Sequence, residues 1–334
     1  MADKPKKKSN VFYLVCIAVM IISIAYVIWY FAGHSKRISA EENNSETLQY
    51  AAENSGTYQN VTYNGKSYTY NRNLKTMLFM GIDQHDEAGS YSYKGTGGRS
   101  DCMILFIMNE ADGTAKMLEI SRDTMTKIAV YDTKGEYALD STMQLTMQYS
   151  FGDGANKSCR LTKEAISNLL HNIPIDEYFS MNIDGIKVLN DAIGGVTLTV
   201  PQDYTEIDPE FKDGETITLD GEQAEKYVRK RDTSVTGSND GRMERQTQYI
   251  KALFSQMRQK NASEETYEKL MDAGSAYIVT DMQAEDVYNF SKFNLDDNDL
   301  KVPGETKKGE FNDEYYVDED ALQKLIIELF YVEN

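Results

Sequence analysis

The chain has 334 residues, and 41% of them are hydrophobic. This length can hold a membrane anchor and one domain of roughly 250 residues with a substantial core. The formal net charge of −18 would repel nucleic acid from most of the surface, so no nucleic-acid partner is predicted. Among the three cysteines, Cys102 and Cys159 are predicted to be free and buried, and a disulfide between them is the alternative.

An uncharged stretch lies near the N-terminus, over residues 9–33. It exceeds the roughly 20 residues that a helix needs to cross the core of a bilayer. The lysine-rich residues 1–10 predict a cytoplasmic tail, so residues 11–33 are predicted to form one transmembrane helix in the cell membrane, with the remaining residues extracytoplasmic. A cleaved signal peptide is the alternative, but its apolar region would be only about 7–15 residues long.

Residues 34–73 are polar and predict an extracytoplasmic stalk, with one short hairpin around Asn64-Gly65. A folded domain is predicted to span residues 74–334. Three apolar runs predict its first strands, at Met77–Ile82, Cys102–Met108 and Ala115–Ile120. Asp112-Gly113, between the second and third runs, is typical of a hairpin.

Helical periodicity and capping residues predict the later elements. The predicted helices are Leu161–His171 with Thr162 as N-cap, Ile183–Ile193, Asp220–Arg231, Arg242–Lys260 capped by Asn239 or Asp240, Ala284–Phe293 and Asp318–Phe330. A further strand is predicted at Val196–Val200. Because strands and helices are intermixed, we expect the α/β class, as a three-layer α/β/α domain with a central mixed sheet.

Arginines are concentrated in a chain that is otherwise acidic. Residues 226–246 contain six basic and three acidic side chains, and Arg99 and Arg122 each lie beside an aspartate at a predicted strand end. Guanidinium groups bind phosphate bidentately and stay charged at any relevant pH. The alternative is that each arginine is a surface residue paired with a local carboxylate, which contributes little.

The spacing of these residues predicts an anion site. Arg242, Arg245 and Gln246 would share one face of a helix near its N-terminus, where free N–H groups and the helix dipole favour anions. Arg229 and Arg231 would point to the same side only if the preceding helix has ended and the chain is extended, which we expect.

Two aspartates predict a metal site. Asp83 follows the first predicted strand and Asp101 begins the second, so both carboxylates would lie at one edge of the sheet if these strands are neighbours. Such oxygen ligands beside a phosphate suit Mg²⁺, which keeps several waters and uses substrate oxygens. Ordinary turn aspartates are the alternative. Among other site types, HExxH, GxSxG and P-loop motifs are absent from the sequence.

The chain resembles the LytR-CpsA-Psr cell-wall ligases over the anchor and nearly all of residues 75–330. The segments that carry the resemblance are MLFMGID, GRSDCMILFIMN, MLEISRDTM, IDEYFSMNIDGIKVLNDAIGGVTLTVP, LDGEQAEKYVRKRD and DGRMERQTQYI. The resemblance implies an apolar tunnel for a polyprenyl chain and an arginine-lined mouth for its pyrophosphate. It implies a phosphotransferase that moves a teichoic acid, capsule or related glycopolymer to peptidoglycan with Mg²⁺.

The resemblance also implies roles for individual residues. Asp83 and Asp101 are the metal-side carboxylates, and the pyrophosphate-binding group is Arg99, Arg122, Arg229, Arg231, Arg242 and Gln246, to which the helix spacing adds Arg245. Departures from the family pattern are Gln84-His85, where an arginine commonly follows two residues after the aspartate, Ser121, where proline is usual, and the segment 137–154.

A hypothesis for the mechanism follows. Arg122 stabilises the transition state, and Asp123 either accepts the proton of the attacking hydroxyl or orients Arg122. A lipid-binding sensor that regulates envelope genes indirectly and a pyrophosphate hydrolase are the alternatives. Replacing Arg122 or Arg229 by alanine is expected to abolish turnover and to leave stability nearly unchanged.

Overall fold

A computed structural model of the chain describes residues 49–50, 60–89, 97–232 and 234–334. The predicted cytoplasmic tail, the transmembrane segment 11–33 and most of the predicted stalk lie outside these residues. Within the described ranges, no helix is both long and apolar enough to cross a membrane.

The strands, in chain order, are β1 (Gln49–Tyr50), β2 (Asn60–Tyr63), β3 (Lys66–Tyr70), β4 (Leu74–Ile82), β5 (Ser100–Asn109), β6 (Thr114–Glu119), β7 (Met125–Tyr131), β8 (Tyr137–Gln144), β9 (Glu177–Asn182), β10 (Val196–Thr199), β11 (Thr216–Leu219), β12 (Ile278–Thr280), β13 (Asn294–Leu295), β14 (Leu300–Lys301), β15 (Gly304–Lys308), β16 (Asp313–Val317) and β17 (Tyr331–Glu333). The helices are α1 (Met147–Ser150), α2 (Asn156–Leu169), α3 (Ile183–Ala192), α4 (Gly221–Arg229), α5 (Ser238–Gln259), α6 (Glu264–Gly274), α7 (Ala284–Phe290) and α8 (Glu319–Phe330).

The central sheet is mixed, with strand order β12-β9-β4-β5-β6-β13, and β14 also pairs with β6. The neighbours β4, β5 and β6 are antiparallel, whereas β9 runs parallel to β4 and β13 runs parallel to β6. The hairpin predicted at Asp112-Gly113 joins β5 to β6, and Gly113 has the positive φ of 71° that this turn requires. The predicted α/β class with a central mixed sheet is therefore confirmed.

Both faces of this sheet are buried. Successive side chains of a strand point to opposite faces, and on β4 and β5 they belong to two different cores. On β4 and β5, the residues Leu78, Met80, Met103 and Leu105 belong to a first core that includes side chains of α2 and α8. Their neighbours along the strands belong to a second core that includes side chains of α4, α5 and α7. The nearly continuous apolar runs in the sequence are therefore strands with helices packed on both sides.

The folded unit begins upstream of the predicted boundary at Leu74. The hairpin predicted at Asn64-Gly65 is present as β2 and β3, but it is not part of an isolated stalk. Strand β3 pairs with β17, so Tyr70 lies opposite Tyr331 at the other end of the chain. The sequence did not predict this small sheet, because the hairpin is mostly polar and only its residues Val61 and Tyr70 are buried.

Two helix starts were predicted too late along the chain. Helix α2 begins at Asn156, so Thr162 lies inside it and its hydroxyl donates to the Ser158 carbonyl at 2.9 Å. Helix α5 begins at Ser238, after Gly237 with φ of 77°. Arg242 therefore lies in the second turn of α5, one turn further from the helix N-terminus than predicted.

The two cysteines of the described region, Cys102 and Cys159, are free and buried, as predicted. Cys102 belongs to the second core and Cys159 to the first, so the central sheet lies between them.

A buried carboxyl near the end of β6 gives a testable pH dependence. Glu119 accepts a hydrogen bond from the Thr247 hydroxyl of α5, and burial raises the pKa of the Glu119 carboxyl. The folded chain therefore holds this proton to a higher pH than the unfolded chain, so wild-type stability falls as pH rises from the ordinary glutamate pKa through the folded pKa. In Glu119→Gln this fall is absent, and its free energy of unfolding relative to wild type should increase across that window.

Urea unfolding at a series of pH values measures this difference. Glu265→Gln is the control, because an exposed pair with Lys269 lowers the pKa of the Glu265 carboxyl. As pH rises, the free energy of unfolding of Glu265→Gln relative to wild type should decrease rather than increase. This change should be much smaller, since solvent screens the pair. A difference for Glu119→Gln that does not depend on pH would contradict the assignment.

Candidate active site

An apolar cavity lies between the central sheet and the helices α3 to α7, and it contains about 1420 Å³ of non-protein space, including its open mouth. Its apolar lining includes Met77, Phe79, Phe106, Phe179, Ile186, Leu189, Ile250, Leu253, Phe254, Met257, Tyr267, Leu270 and Phe290. The polar lining residues are Asp83, Asp101, Arg229, Arg242 and Gln246. Because the side chains of Asp83 and Arg229 are each 45% exposed, this polar set marks the open end.

Asp101 reaches the cavity through a β-bulge. Gly81 pairs with Cys102 and Ile82 pairs with Ser100, so Asp101 is an extra residue without a partner on β4. Strict alternation from Cys102, which belongs to the second core, would point Asp101 into the first core. A bulge redirects side chains locally, and here Asp101 lines the cavity instead.

Two buried arginines share the Asp101 carboxylate. Arg122 Nη1 donates to Asp101 Oδ2 at 2.8 Å, and Arg242 Nη1 donates to the same oxygen at 3.1 Å. Arg242 Nη2 also donates to Asn239 Oδ1 at 2.6 Å. Burial lowers the pKa of the Arg242 guanidinium, whereas the charge of Asp101 raises it. Both arginines therefore depend on Asp101 for charge neutralisation, and the buried Asp123 carboxyl group lies beside Arg122 as well.

Arg122 is held in this position by a short turn between β6 and β7. The backbone N–H and the hydroxyl of Thr124 both donate to the Ser121 carbonyl, at 3.1 and 2.7 Å. The backbone of the next segment completes the turn, because Leu145 N–H donates to the Thr124 carbonyl and Thr146 N–H donates to the Arg122 carbonyl. The position of this guanidinium is therefore fixed by the backbone on both sides of it.

Helix α4 carries Arg229 to the cavity mouth. The helix starts with a capping box between Asp220 and Gln223 and ends at Arg229. Lys230 then has extended backbone, with φ of −63° and ψ of 136°, which confirms that the helix has ended before Arg231.

Carboxylates flank the Arg229 guanidinium on two sides. Arg229 Nη1 donates to Glu225 Oε1 at 3.1 Å, and Nη2 lies 3.5 Å from Asp83 Oδ1. Arg231 is partly exposed. Burial raises the pKa of the Asp123 carboxyl and lowers that of the Arg242 guanidinium, and the charge of Arg231 opposes the first shift and adds to the second. Arg229, Arg231, Arg242 and Arg122 are thus brought together from three separate parts of the chain.

Asp123 is 5% exposed and lies beside Arg122. Its Oδ1 accepts from Gln144 Nε2 at 3.0 Å and lies 3.6 Å from Arg122 Nε. Burial raises the pKa of the Asp123 carboxyl, and the charges of Arg122, Arg231 and Arg242 oppose this rise. A carboxylate of raised pKa is a better proton acceptor than an exposed one.

Two predicted site arginines are placed differently. The backbone of Arg99 is beside Asp83, whose N–H donates to the Arg99 carbonyl at 2.9 Å, but the Arg99 side chain is exposed and is not among the cavity-lining groups. Arg245 is buried, and its guanidinium donates to the carbonyls of Tyr227 and Lys230. The predicted shared face of Arg242 and Arg245 is therefore wrong for Arg245, because one residue faces the cavity and the other faces α4.

Hydrogen-bonding capacity is unmet around the shared carboxylate. Among the described residues, Arg122 Nε and Arg242 Nε are buried donors without a hydrogen-bond partner, and Gln246 Oε1 is a buried acceptor without one. Gln246 Nε2 donates to the Val228 carbonyl at 3.0 Å, which fixes the amide with its oxygen unpaired. Buried polar atoms are nearly always paired, so unpaired ones beside an apolar cavity indicate a place for a polar ligand.

The family model of the LytR_cpsA_psr family matches residues 31–329 of this chain. The chain belongs to the LytR_cpsA_psr family. This match covers most of the chain and includes all the site residues described above.

Two relatives of this LytR_cpsA_psr chain are named as teichoic acid transferases. The polyisoprenyl-teichoic acid–peptidoglycan teichoic acid transferase TagV of Bacillus subtilis is 36% identical over 189 residues, which are 54% of this chain and 43% of that protein. The corresponding transferase TagU of Enterococcus faecalis is 31% identical over 69% of this chain and 70% of its own. The crystal structure of B. subtilis TagV superimposes with a TM-score of 0.58 at 29% identity, covering 78% of this chain and 96% of that one.

This LytR_cpsA_psr site has two carboxylates that could hold a metal cation together with oxygen atoms of a bound ligand. No group of three or more His, Cys, Asp or Glu side chains among the described residues could hold a metal by itself. Asp83 and Asp101 both line the cavity, and Asp101 Oδ1 has only a long 3.4 Å contact from Thr146 Oγ1. Two carboxylates completed by phosphate oxygens and water are the usual surroundings of Mg²⁺, so the residues fit this ion.

Three residues with no predicted site role form hydrogen bonds in or next to the site. Gln144 bridges Asp123 Oδ1 and the Asp313 carbonyl, the latter at 2.7 Å. Asn239, considered only as a helix cap, orients Arg242. At Gln84-His85, His85 Nδ1 lies 3.2 Å from Asp184 Oδ1 of α3. No periodicity or spacing in the sequence signals these contacts.

Proposed function

We propose that this protein transfers a glycopolymer phosphate, such as a teichoic acid or capsule polymer, from a polyprenyl-pyrophosphate carrier to peptidoglycan. The observation that carries the proposal is the position of Arg122 and Arg242, which share one carboxylate at the polar end of a large apolar cavity. A ligand with a long apolar chain and a multiply charged anionic head matches both parts. The names of the relatives, polyisoprenyl-teichoic acid–peptidoglycan transferases, support the same ligand and acceptor.

In the proposed reaction, a sugar hydroxyl of peptidoglycan attacks the phosphorus that carries the glycopolymer. The bond from that phosphorus to the bridging oxygen breaks, and polyprenyl monophosphate leaves. Asp123 is the proposed acceptor of the hydroxyl proton, because its carboxyl is buried and its pKa is raised. The guanidinium groups of Arg122, Arg229 and Arg242 hold the phosphate oxygens and balance the charge that moves to the leaving group.

Mg²⁺ is the proposed cofactor, held by Asp83 and Asp101. When bound, it would neutralise pyrophosphate charge beside the arginines. Asp83 would then exchange its contact with Arg229 for the cation, which frees that guanidinium for phosphate.

The proposed location is the outer face of the cell membrane, with residues 11–33 as a single-pass anchor and the N-terminus cytoplasmic. The uncharged length of this segment and the lysines before it support the proposal. An anchored domain would keep its cavity close to the lipid carrier.

The full chain in detergent, incubated with lipid-linked polymer, peptidoglycan and Mg²⁺, tests the function. Polymer covalently attached to peptidoglycan is the expected product. Release of free polymer phosphate without attachment would indicate a hydrolase, and binding without turnover would indicate a lipid sensor. Either result would overturn the proposal.

A substitution that narrows the cavity should discriminate between carriers by chain length. Ile186 lines the cavity from α3, and Ile186→Trp is expected to lower turnover of a long polyprenyl carrier at least tenfold, whereas a carrier with a short chain should be much less affected. Val188→Trp is the matched control, because Val188 is on the same helix and partly exposed but does not line the cavity. Equal losses with both carriers would count against the cavity as the lipid site.

A further inference from the structure

Arg245 binds two main-chain carbonyls, whereas Arg122, Arg229 and Arg242 each contact a carboxylate. Arg245 is 6% exposed, its Nε donates to the Tyr227 carbonyl at 2.7 Å, and its Nη2 donates to the Lys230 carbonyl. Its guanidinium carbon lies 4.9 Å from the centre of the Tyr204 ring. Arg245 is thus held behind α4, outside the cavity lining.

The two carbonyls that Arg245 binds lie at the C-terminal end of α4, which ends at Arg229. The last carbonyls of a helix have no partner within it, and a cation is favourable there. The adjacent residue of α5 acts in the same way, since Gln246 Nε2 donates to the Val228 carbonyl. Consecutive side chains of α5 therefore cap the last turn of α4 from outside the helix.

The capped turn is the segment that presents phosphate-binding arginines. Tyr227 and Lys230, which Arg245 joins, lie on either side of Arg229 in sequence, and Arg231 follows directly. We propose that Arg245 is a positioning residue that fixes the backbone of residues 227–231 and thereby aims Arg229 and Arg231 at the pyrophosphate. That the ligand is a pyrophosphate rests on the proposed function, whereas the positioning itself rests on the contacts of Arg245.

Arg245→Met in the full chain in detergent tests the proposal, because methionine keeps an apolar stem against Tyr204 and removes all the donors. Amide hydrogen exchange in residues 226–232 should become faster, and binding of inorganic pyrophosphate should weaken roughly tenfold. Arg245→Lys should restore part of both properties, since an ammonium group lacks the planar fork that reaches two carbonyls at once.

Arg258→Met is the matched control, because Arg258 is on the same helix and donates to the Phe293 carbonyl, far along the sequence from α4. It should change neither the exchange of residues 226–232 nor pyrophosphate affinity. In a chain that already carries Arg229→Ala and Arg231→Ala, Arg245→Met should cause no further loss of affinity, because Arg245 acts through those residues.

Two results would overturn the positioning role. One is unchanged amide exchange in residues 226–232 of Arg245→Met, and the other is a further tenfold loss of affinity in the double-alanine background, which would make Arg245 a direct ligand. If wild type binds no pyrophosphate, the proposed function fails instead, and the exchange measurement still decides whether Arg245 holds the turn.

Discussion

Arg229→Ala is expected to lower transfer by roughly 10²–10³-fold, the usual effect of removing one donor that stabilises developing charge. The folded state should hardly change, because the side chain is 45% exposed and its carboxylate neighbours Glu225 and Asp83 remain solvated or otherwise paired. Arg122→Ala should lower transfer at least as much. Unlike the expectation from sequence, it should also destabilise the fold by about 3–5 kcal/mol, because its guanidinium is buried in a shared ion pair.

Transfer assays and urea unfolding of both variants measure these effects. Arg160→Ala is the control, because Arg160 is exposed on α2, the helix whose buried side chains belong to the first core. Near-normal transfer by Arg229→Ala or by Arg122→Ala would withdraw the phosphate assignment. Equal stability of the two variants would contradict the different burial of the two arginines.

The apolar patterns of the sequence predicted the three strands in the middle of the central sheet, but not β9, β12, β13 or β14. The three runs at Met77–Ile82, Cys102–Met108 and Ala115–Ile120 are the antiparallel strands β4, β5 and β6, because most of their residues face one of two buried cores in the way that continuous apolar runs require. Helices α3, α4 and α8 were also predicted to within two residues at each end, since Asp220 and Asp318 are N-caps whose carboxylates accept from the backbone.

The geometry of the site depended on features that local patterns do not encode. Residue spacing placed Arg242 and Arg245 on one helix face, but the start of α5 at Ser238 and the packing against α4 separate their directions. The bulge that turns Asp101 into the cavity arises from the register between two strands, not from the residue itself. Residue chemistry thus indicated candidate phosphate-binding side chains, whereas tertiary contacts decided which of them lie at the cavity.

Asp101→Asn should have the second large effect, because it removes the only carboxylate that both Arg122 Nη1 and Arg242 Nη1 contact. Arg242 would then lose its carboxylate and Arg122 would keep only the 3.6 Å contact with Asp123, so the fold should lose about 3–5 kcal/mol together with transfer activity. Asp83→Asn should lower the affinity for Mg²⁺ in the transfer assay without this loss of stability, since Asp83 is half-exposed.

A bound anion should compensate for the missing charge in Asp101→Asn. Inorganic pyrophosphate without Mg²⁺ would place negative charge beside Arg122 and Arg242, so it should raise the midpoint of thermal unfolding of Asp101→Asn more than that of wild type, where Asp101 already occupies both arginines. Thermal unfolding with and without pyrophosphate measures the two shifts, and sodium chloride at equal ionic strength controls for screening. If pyrophosphate stabilises wild type and Asp101→Asn equally, the anion does not bind where these arginines meet, and the carboxylate holds them for the sake of the fold alone.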